Sequence, residues 1–246
     1  MDTRLETFRE MISESDNVVF FGGAGVSTES GIPDFRSTSG LYNQKYAFPP
    51  ETILSHRFFM VNTAEFYKFY RERIVHLEAK PNAAHIKLAE LEKAGKVKAV
   101  VTQNIDGLHQ QAGSKCVYEL HGSIHRNFCM KCGAPYSVEH IMESSGVPKC
   151  TCGGTIKPDV VLYDEPLGQG TVEAAVDAVM NADVLIIGGT SLNVYPAAGL
   201  LQYYRGGKLI LINKTELPNE RQAALVFHGS IGKVLGQIGK ETDSDK

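Results

Sequence analysis

The sequence predicts an α/β fold, a doubly wound parallel sheet with a second, smaller module set into it. Three observations carry that reading. Continuous apolar runs alternate with helical patterns, and a glycine-rich turn follows the first run. Two stretches of different composition, one aromatic and one rich in cysteine, interrupt the alternation. Apolar runs flanked by helices indicate strands buried on both faces, the mark of a parallel sheet.

Residues Met1 to Ser15 alternate charge with Leu5, Phe8, Met11 and Ile12, an amphipathic helix rather than a signal peptide. Asn17-Val18-Val19-Phe20-Phe21 then forms a short β-branched and aromatic run that stops at Gly22-Gly23, a buried strand feeding a glycine turn. Lys98 to Thr102, Asp183 to Gly188 and Lys208 to Asn213 are runs of the same kind. Ala83 to Ala94 reads as a helix with Ala84, Ile86, Leu88 and Leu91 as its apolar positions. Thr171 to Asn181 reads as another, with Val172, Ala175, Val176 and Val179 at helical spacing. Residues 1–37, 78–123 and 158–246 are therefore assigned to a Rossmann-like domain. Residues 38–77, aromatic and helical in pattern, and 124–157, with its cysteines, are assigned to insertions that together form the small domain. The polar tail, 239–246, is expected to fray.

A chain of 246 residues suits one large α/β domain, or such a domain with a small insertion. Its 25 basic and 28 acidic side chains leave a formal charge of −3, without the basic excess of a polyanion binder, so no direct nucleic-acid partner is expected. No run approaches the roughly 18 apolar residues of a membrane span. A soluble, cytoplasmic protein without a membrane partner is the expectation.

In such a compartment clustered cysteines point to a metal or to thiol chemistry rather than to disulfides. Cys129-Met130-Lys131-Cys132 and, beyond residues 133–149, Cys150-Thr151-Cys152 can supply the four soft ligands of a tetrahedral Zn²⁺. Glycines at Gly133 and at Gly153-Gly154 follow each pair, where a tight knuckle needs positive φ. The second pair is C-x-C rather than C-x-x-C, a shorter knuckle. Four cysteines close the coordination sphere, so the metal is read as structural, with reduced or redox-active thiols as the competing reading. Cys116 is left as a small buried hydrophobe.

Gly23-Ala24-Gly25-Val26-Ser27-Thr28 follows the first strand, where small residues let backbone N–H groups approach a pyrophosphate. It matches G-x-G-x-x-G only with Thr28 in the third glycine position, and residues Ser27 to Arg36 read as a loop. The acidic ribose ligand of ordinary dinucleotide dehydrogenases is absent at the end of a second strand. Gly188-Gly189-Thr190-Ser191 and Asn213-Lys214 end later strands, where ligands of doubly wound sheets lie. Thr102 to His109 packs amide, carboxylate and imidazole groups into one segment, and Glu119-Leu120-His121-Gly122-Ser123 follows just before the cysteines. A histidine there can serve as a general base near neutral pH.

Taken together these residues resemble the sirtuin family, in a bacterial-type form. The resemblance rests on Gly23 to Ser27 through Gly31-Ile32-Pro33-Asp34-Phe35-Arg36, on Thr102 to Asp106, on Leu120-His121-Gly122 and the four cysteines, on Gly189 to Leu192 and on Val194 to Ala198. It runs in order from about residue 7 to 238. It implies an NAD-dependent protein-lysine deacetylase that consumes NAD, holds one structural Zn²⁺ and acts on acetylated lysine peptides or proteins in a cleft between its two modules. The implied products are free lysine, nicotinamide and O-acetyl-ADP-ribose.

The resemblance also implies roles. Ala24, Gly25 and Thr28 match the pyrophosphate turn, with Phe35 and Arg36 on the cofactor loop that follows. Gln103 matches a ribose contact. Asn104, Ile105 and Asp106 match the nicotinamide pocket, with Asn104 and Asp106 counted with the catalytic set, and His121 matches the base that removes a ribose hydroxyl proton. Gly189, Thr190, Ser191, Asn213, Lys214 and Ile231 match adenosine-side contacts. Val161, Tyr163, Asn193 and Val194 match the loops that sandwich an extended peptide through backbone bonds. The chain departs from the family at Tyr163-Asp164-Glu165, where Phe-Gly-Glu is common.

Acyl choice follows one step further. Members preferring acidic acyl groups carry Tyr-x-x-Arg in the helical insertion, whereas here Tyr67 is followed by Tyr70. A buried acyl carboxylate would then go unpaired, so acetyl is expected over succinyl, with Arg71 next door as the rival cation. The alternatives are mono-ADP-ribosyl transfer or desuccinylation on the same fold, and more distantly an NAD(P) oxidoreductase or a zinc-ribbon interaction module.

Overall fold

The computed structural model describes residues 3–35, 37, 40–43, 46–217 and 220–238. In chain order the helices are α1 (Thr3–Glu14), α2 (Pro50–Ile53), α3 (His56–Val61), α4 (Thr63–Phe69), α5 (Ala83–Lys93), α6 (Leu108–Ala112), α7 (Val138–Glu143), α8 (Gln169–Asn181) and α9 (Ile231–Leu235). The strands are β1 (Val18–Gly22), β2 (Val97–Thr102), β3 (Val117–Glu119), β4 (Gly122–Cys129), β5 (Pro135–Tyr136), β6 (Ile156–Val160), β7 (Val184–Gly188), β8 (Lys208–Asn213) and β9 (Leu225–His228).

Six strands form one parallel sheet in the order β3-β2-β1-β7-β8-β9. The chain winds outward through β2 and β3 on one side of β1, then outward through β7, β8 and β9 on the other. That reversal opens a crevice at the carboxyl ends of β1 and β7, where doubly wound sheets bind ligands. Every position of β1 and β7 is buried. Phe20, Ile186, Ile210 and Ile212 pack with α1, α5 and α9 on one face. Phe21, Leu185, Ile187 and Leu211 pack with α8 on the other.

The sequence-predicted strands lie where expected; the two outermost strands, β3 and β9, were not anticipated. β3 is three residues long and only partly buried, with no apolar run; β9 is only four residues long, its run of Leu225-Val226-Phe227 ending at exposed His228. In α5 the expected inward position Ile86 is instead 47% exposed, and His85 is fully buried. Asn82 explains this: its side chain accepts from the Ala84 N–H and its own N–H donates to His85 Nδ1, which turns the imidazole inward. Cys116 is half-buried against the α8 face rather than enclosed.

The other sheet is antiparallel, β5-β4-β6. Its side chains and those of α7 share one cluster with the helical insertion: Phe58, Phe59, Phe66, Tyr67, Phe69 and Tyr70 meet Ile124, Ile156 and Val160 of the sheet and Ile141 of α7. The two sequence insertions thus bury each other. Among the described residues no helix is long and apolar enough to cross a membrane.

Candidate active site

The turns leaving β1 and β7 interlock at the crevice. Gly25 N–H donates to the Gly189 carbonyl at 2.8 Å. A Cβ on Gly25 would lie 2.8 Å from Gly189 Cα, and one on Gly189, whose φ is +60°, would lie 2.4 Å from Val26 N. Both glycines are therefore needed for the close approach of the two loops. Ala24 and Gly25 form a single 3₁₀ turn with Val26, and the Thr28 hydroxyl donates back to the Gly25 carbonyl at 3.0 Å. Phe35 packs edge-on against Tyr42 and joins the small module's cluster. Arg36 lies outside the described residues.

Gln103 continues β2 into this crevice. Its N–H donates to the Gly22 carbonyl at 2.9 Å and its Oε1 accepts from the Thr190 hydroxyl at 3.1 Å. Its Nε2 is buried with no partner. An amide donor left unmade in a buried site costs about 1–3 kcal/mol, and a ligand hydroxyl or phosphate oxygen in the crevice would satisfy it. The Gln103 carbonyl lies 2.9 Å from His121 Nδ1. A carbonyl only accepts, so Nδ1 carries the hydrogen and Nε2 keeps its lone pair. Burial holds the His121 pKa below its ordinary 6.5, opposed by the bond to Gln103. The imidazole is thus a neutral base near pH 7 with its acceptor nitrogen unoccupied.

A second network organises the segment after β2. Asn104 Nδ2 donates to Ser27 Oγ at 3.0 Å, and Ser27 Oγ donates to Asp106 Oδ2 at 2.6 Å. Asp106 Oδ1 accepts at 2.9 Å from the N–H of Leu108, the first residue of α6. Each carboxylate oxygen still has a lone pair to offer. Ser27, 1% exposed, lies within the glycine-rich turn, where residue type and spacing give it no role. Only its partners, distant in sequence, reveal its place. His85 and His109, to which the sequence likewise gives no role, are both buried, with ring centroids 4.7 Å apart. Burial pushes the His85 pKa down to about 4, against the pull of Asp106 and Glu29, and holds His109 well below the usual range.

On the small-module side, Val161 N–H donates to the His121 carbonyl at 3.0 Å, which sets the expected substrate segment beside the base. Tyr163 turns toward the helical insertion: its main chain bonds Leu54 and His56, and its hydroxyl meets that of Tyr42. Glu165 gathers His56 Nδ1 at 2.7 Å, Lys157 Nζ at 3.1 Å and Leu162 N–H at 2.9 Å, which together outweigh burial and lower its pKa. Asp164 adopts φ +71°, the left-handed conformation suited to the glycine usual at that place.

Beyond β7 and β8 the expected residues are more scattered. Asn193 is exposed and Ser191 and Val194 are half-buried on the loop after β7. Asn213 turns its amide to Thr215, and Lys214 is exposed. Ile231 is 3% exposed, and its Cδ1 would lie 2.1 Å from a Cβ on Gly188, so its side chain fills core space at the end of β7.

Cys129, Cys132, Cys150 and Cys152 place their sulfurs within 4.8 Å of one another, with neighbouring pairs at 3.5 to 3.6 Å. Four thiolates about 2.3 Å from a tetrahedral zinc would be roughly 3.8 Å apart, so the set fits that ion. Gly133 and Gly153 take φ of +73° and +80°, as the knuckle turns require.

The model of the Sir2 family matches residues 23–196. The NAD-dependent protein deacetylase of Clostridium perfringens is 58% identical over 242 residues, covering 97% of this chain and 99% of that protein. The protein of the same name from Clostridium acetobutylicum is 57% identical over 239 residues, covering 96% and 98%. Among solved structures, Sir2 with a p53 peptide and NAD⁺ superposes with a TM-score of 0.84 at 40% identity, covering 94% of this chain and 95% of that one.

Proposed function

The chain belongs to the Sir2 family, and from that premise we propose that it is an NAD-dependent protein-lysine deacetylase. Its substrates are acetylated lysine peptides or proteins, NAD is consumed, and Cys129, Cys132, Cys150 and Cys152 hold a structural Zn²⁺. The observation that carries this reading is that one residue, Gln103, holds a neutral imidazole through its carbonyl and keeps a buried side-chain Nε2 with no partner. When bound, NAD supplies an electrophilic ribose carbon with nicotinamide as its leaving group.

His121 Nε2 takes a proton from a ribose hydroxyl, and Nδ1–H, held by the Gln103 carbonyl, keeps the ring in that tautomer. The Gln103 amide binds the ribose. Asn104, Ile105 and Asp106 receive nicotinamide, with Ser27 fixing both polar side chains. Ala24, Gly25, Thr28, Phe35 and Arg36 attend the pyrophosphate. Gly189, Thr190, Ser191, Asn213, Lys214 and Ile231 attend the adenosine. Val161, Tyr163, Asn193 and Val194 pair with the peptide backbone. The zinc stabilises the small module and takes no part in the chemistry.

The same reading places residues 1–37, 78–123 and 158–246 in the cofactor domain and 38–77 with 124–157 in the small domain. Free thiols grouped as a metal site support a reducing, cytoplasmic location. Tyr70 is fully buried where a succinyl-selective member has arginine. Arg71 bonds the Ile141 and Gly146 carbonyls, which supports acetyl over succinyl.

The test is mass spectrometry of an acetyl-lysine peptide incubated with the protein, with and without NAD. Loss of acetyl only with NAD, together with O-acetyl-ADP-ribose, is expected. A reduced-nicotinamide absorbance with no nicotinamide released would overturn the reading.

A further inference from the structure

The β4–β6 ladder carries an irregularity beside the site. Gly122 and Ser123 pair with Val160 and Asp159, and the next pair is Asn127 with Pro158, so Ile124, His125 and Arg126 are extra on β4. Bulges re-aim the residues they hold. Each of these three turns to a segment outside β4. Ile124 N–H donates to the Ile105 carbonyl at 3.0 Å, and His125 Nε2 lies 3.1 Å from the Asp106 carbonyl. Arg126 bridges Glu119 at 2.6 Å and Asp159 at 2.7 Å. Buried Asn127 closes the bulge from below, donating to the Ile124 carbonyl at 3.1 Å.

A second observation singles out His125. Gly107 has φ +74°, and a Cβ there would fall 2.8 Å from His125 Cδ2 and 2.9 Å from Nε2. The imidazole therefore occupies the space that a side chain at 107 would take. The Asp106 carbonyl can only accept, so Nε2 carries the hydrogen. The bulge supplies both bonds to the Ile105 and Asp106 carbonyls, one from main chain and one from this side chain.

We propose that His125 is a positioning residue for the nicotinamide pocket, its Nε2–H holding the Asp106–Gly107 peptide so that the Asp106 carboxylate stays on Ser27 and presents its free lone pairs to the carboxamide. The inference rests on the reading that residues 104–106 receive nicotinamide. His125 touches neither substrate nor zinc in this role; it acts through the Asp106 main chain.

The test uses zinc-loaded full-length protein with His125→Ala and His125→Gln variants. Nicotinamide is titrated into each ADP-ribose complex by ligand-observed NMR, alongside the acetyl-peptide KM, zinc content and Tm. Losing one partly exposed hydrogen bond should weaken nicotinamide binding roughly three- to tenfold in His125→Ala, with peptide KM within about twofold and zinc content unchanged. His125→Gln, whose amide can donate to the same carbonyl, should recover most of the affinity. Unchanged nicotinamide affinity in His125→Ala would overturn the proposal, as would an equal rise in peptide KM with loss of zinc, the pattern of a merely structural role. The binding readout needs no turnover. A parent protein that binds nicotinamide yet never deacetylates therefore counts against the deacetylase reading and leaves this one standing.

Discussion

The parallel sheet and the small antiparallel sheet are stabilised by different means. β1 and β7 are buried at every position, with apolar side chains alternating between two covered faces. That stability is spread over many contacts, so one substitution costs only its own share. The small sheet has one strand of two residues and a single cluster, built from aromatic rings 4.9 to 6.2 Å apart. Four cysteines tie its far end. A unit with so little sheet depends on its metal. His121 stands on the connection between the two, so chemistry in the large module answers to the folding of the small one.

The strongest way to break this comparison is to remove the metal. Chelation, or Cys129→Ser, should unfold the small module and lower deacetylation at least ~100-fold while most of the far-UV helical signal remains, because binding free energy in such sites is folding free energy. Full activity in zinc-free protein would show that the module needs no staple.

Acid should act on the other side. His85 and His109 are buried neutral against the large sheet; burial pushes the His85 pKa down to about 4 and holds that of His109 well below 6.5. The unfolded chain binds those protons near pH 6.5, so the unfolded state takes them up first as pH falls. Stability is full above about pH 7 and is lost progressively from 6.5 toward 4, by about 3 kcal/mol for His85 alone. Urea midpoints at pH 7.5 and 5 check this; equal midpoints would contradict it.

Within the aromatic cluster the two tyrosines should behave oppositely. The Tyr67 hydroxyl donates to the Ile156 carbonyl, so Tyr67→Phe should cost about 1 kcal/mol. The Tyr70 hydroxyl is buried without a partner, so Tyr70→Phe should be neutral or stabilising by up to ~1 kcal/mol. Equal losses in thermal unfolding would remove the distinction. The smallest effect belongs to Asp164→Gly, which relieves a left-handed conformation and should add about 0.5 kcal/mol, since aspartate tolerates that region and glycine gives back chain entropy. A lower Tm would count against relief of strain.

The same contrast decides what could be read from the amino acids. The inner strands were legible because burial on both faces leaves unbroken runs such as Val18 to Phe21. β3, half-covered at a sheet edge, leaves no such run, and β9 at the other edge leaves only Leu225 to Phe227 before exposed His228. The four cysteines announced themselves by residue type and spacing and His121 by the family resemblance, whereas Ser27 did so by neither. Its partners Asn104 and Asp106 lie 77 and 79 residues away in the chain, and only folding brings them together. His85 was hidden for a related reason, since a cap at Asn82, not periodicity, turns it inward. Asp164 could be seen as a departure, but its positive φ could not.

The central claim is that one neutral imidazole, held by Gln103, serves an NAD-consuming deacetylation. The most direct measurement counts nicotinamide released and lysine freed from an acetyl peptide by the parent protein and by His121→Ala, with zinc content determined for both. The parent should release one nicotinamide per lysine freed, and keep its activity to pH values below 6.5 because burial lowers the pKa of the base. His121→Ala should retain zinc and lose turnover by roughly 10²–10⁴-fold. Undiminished turnover in His121→Ala, or lysine freed without nicotinamide, would contradict the account.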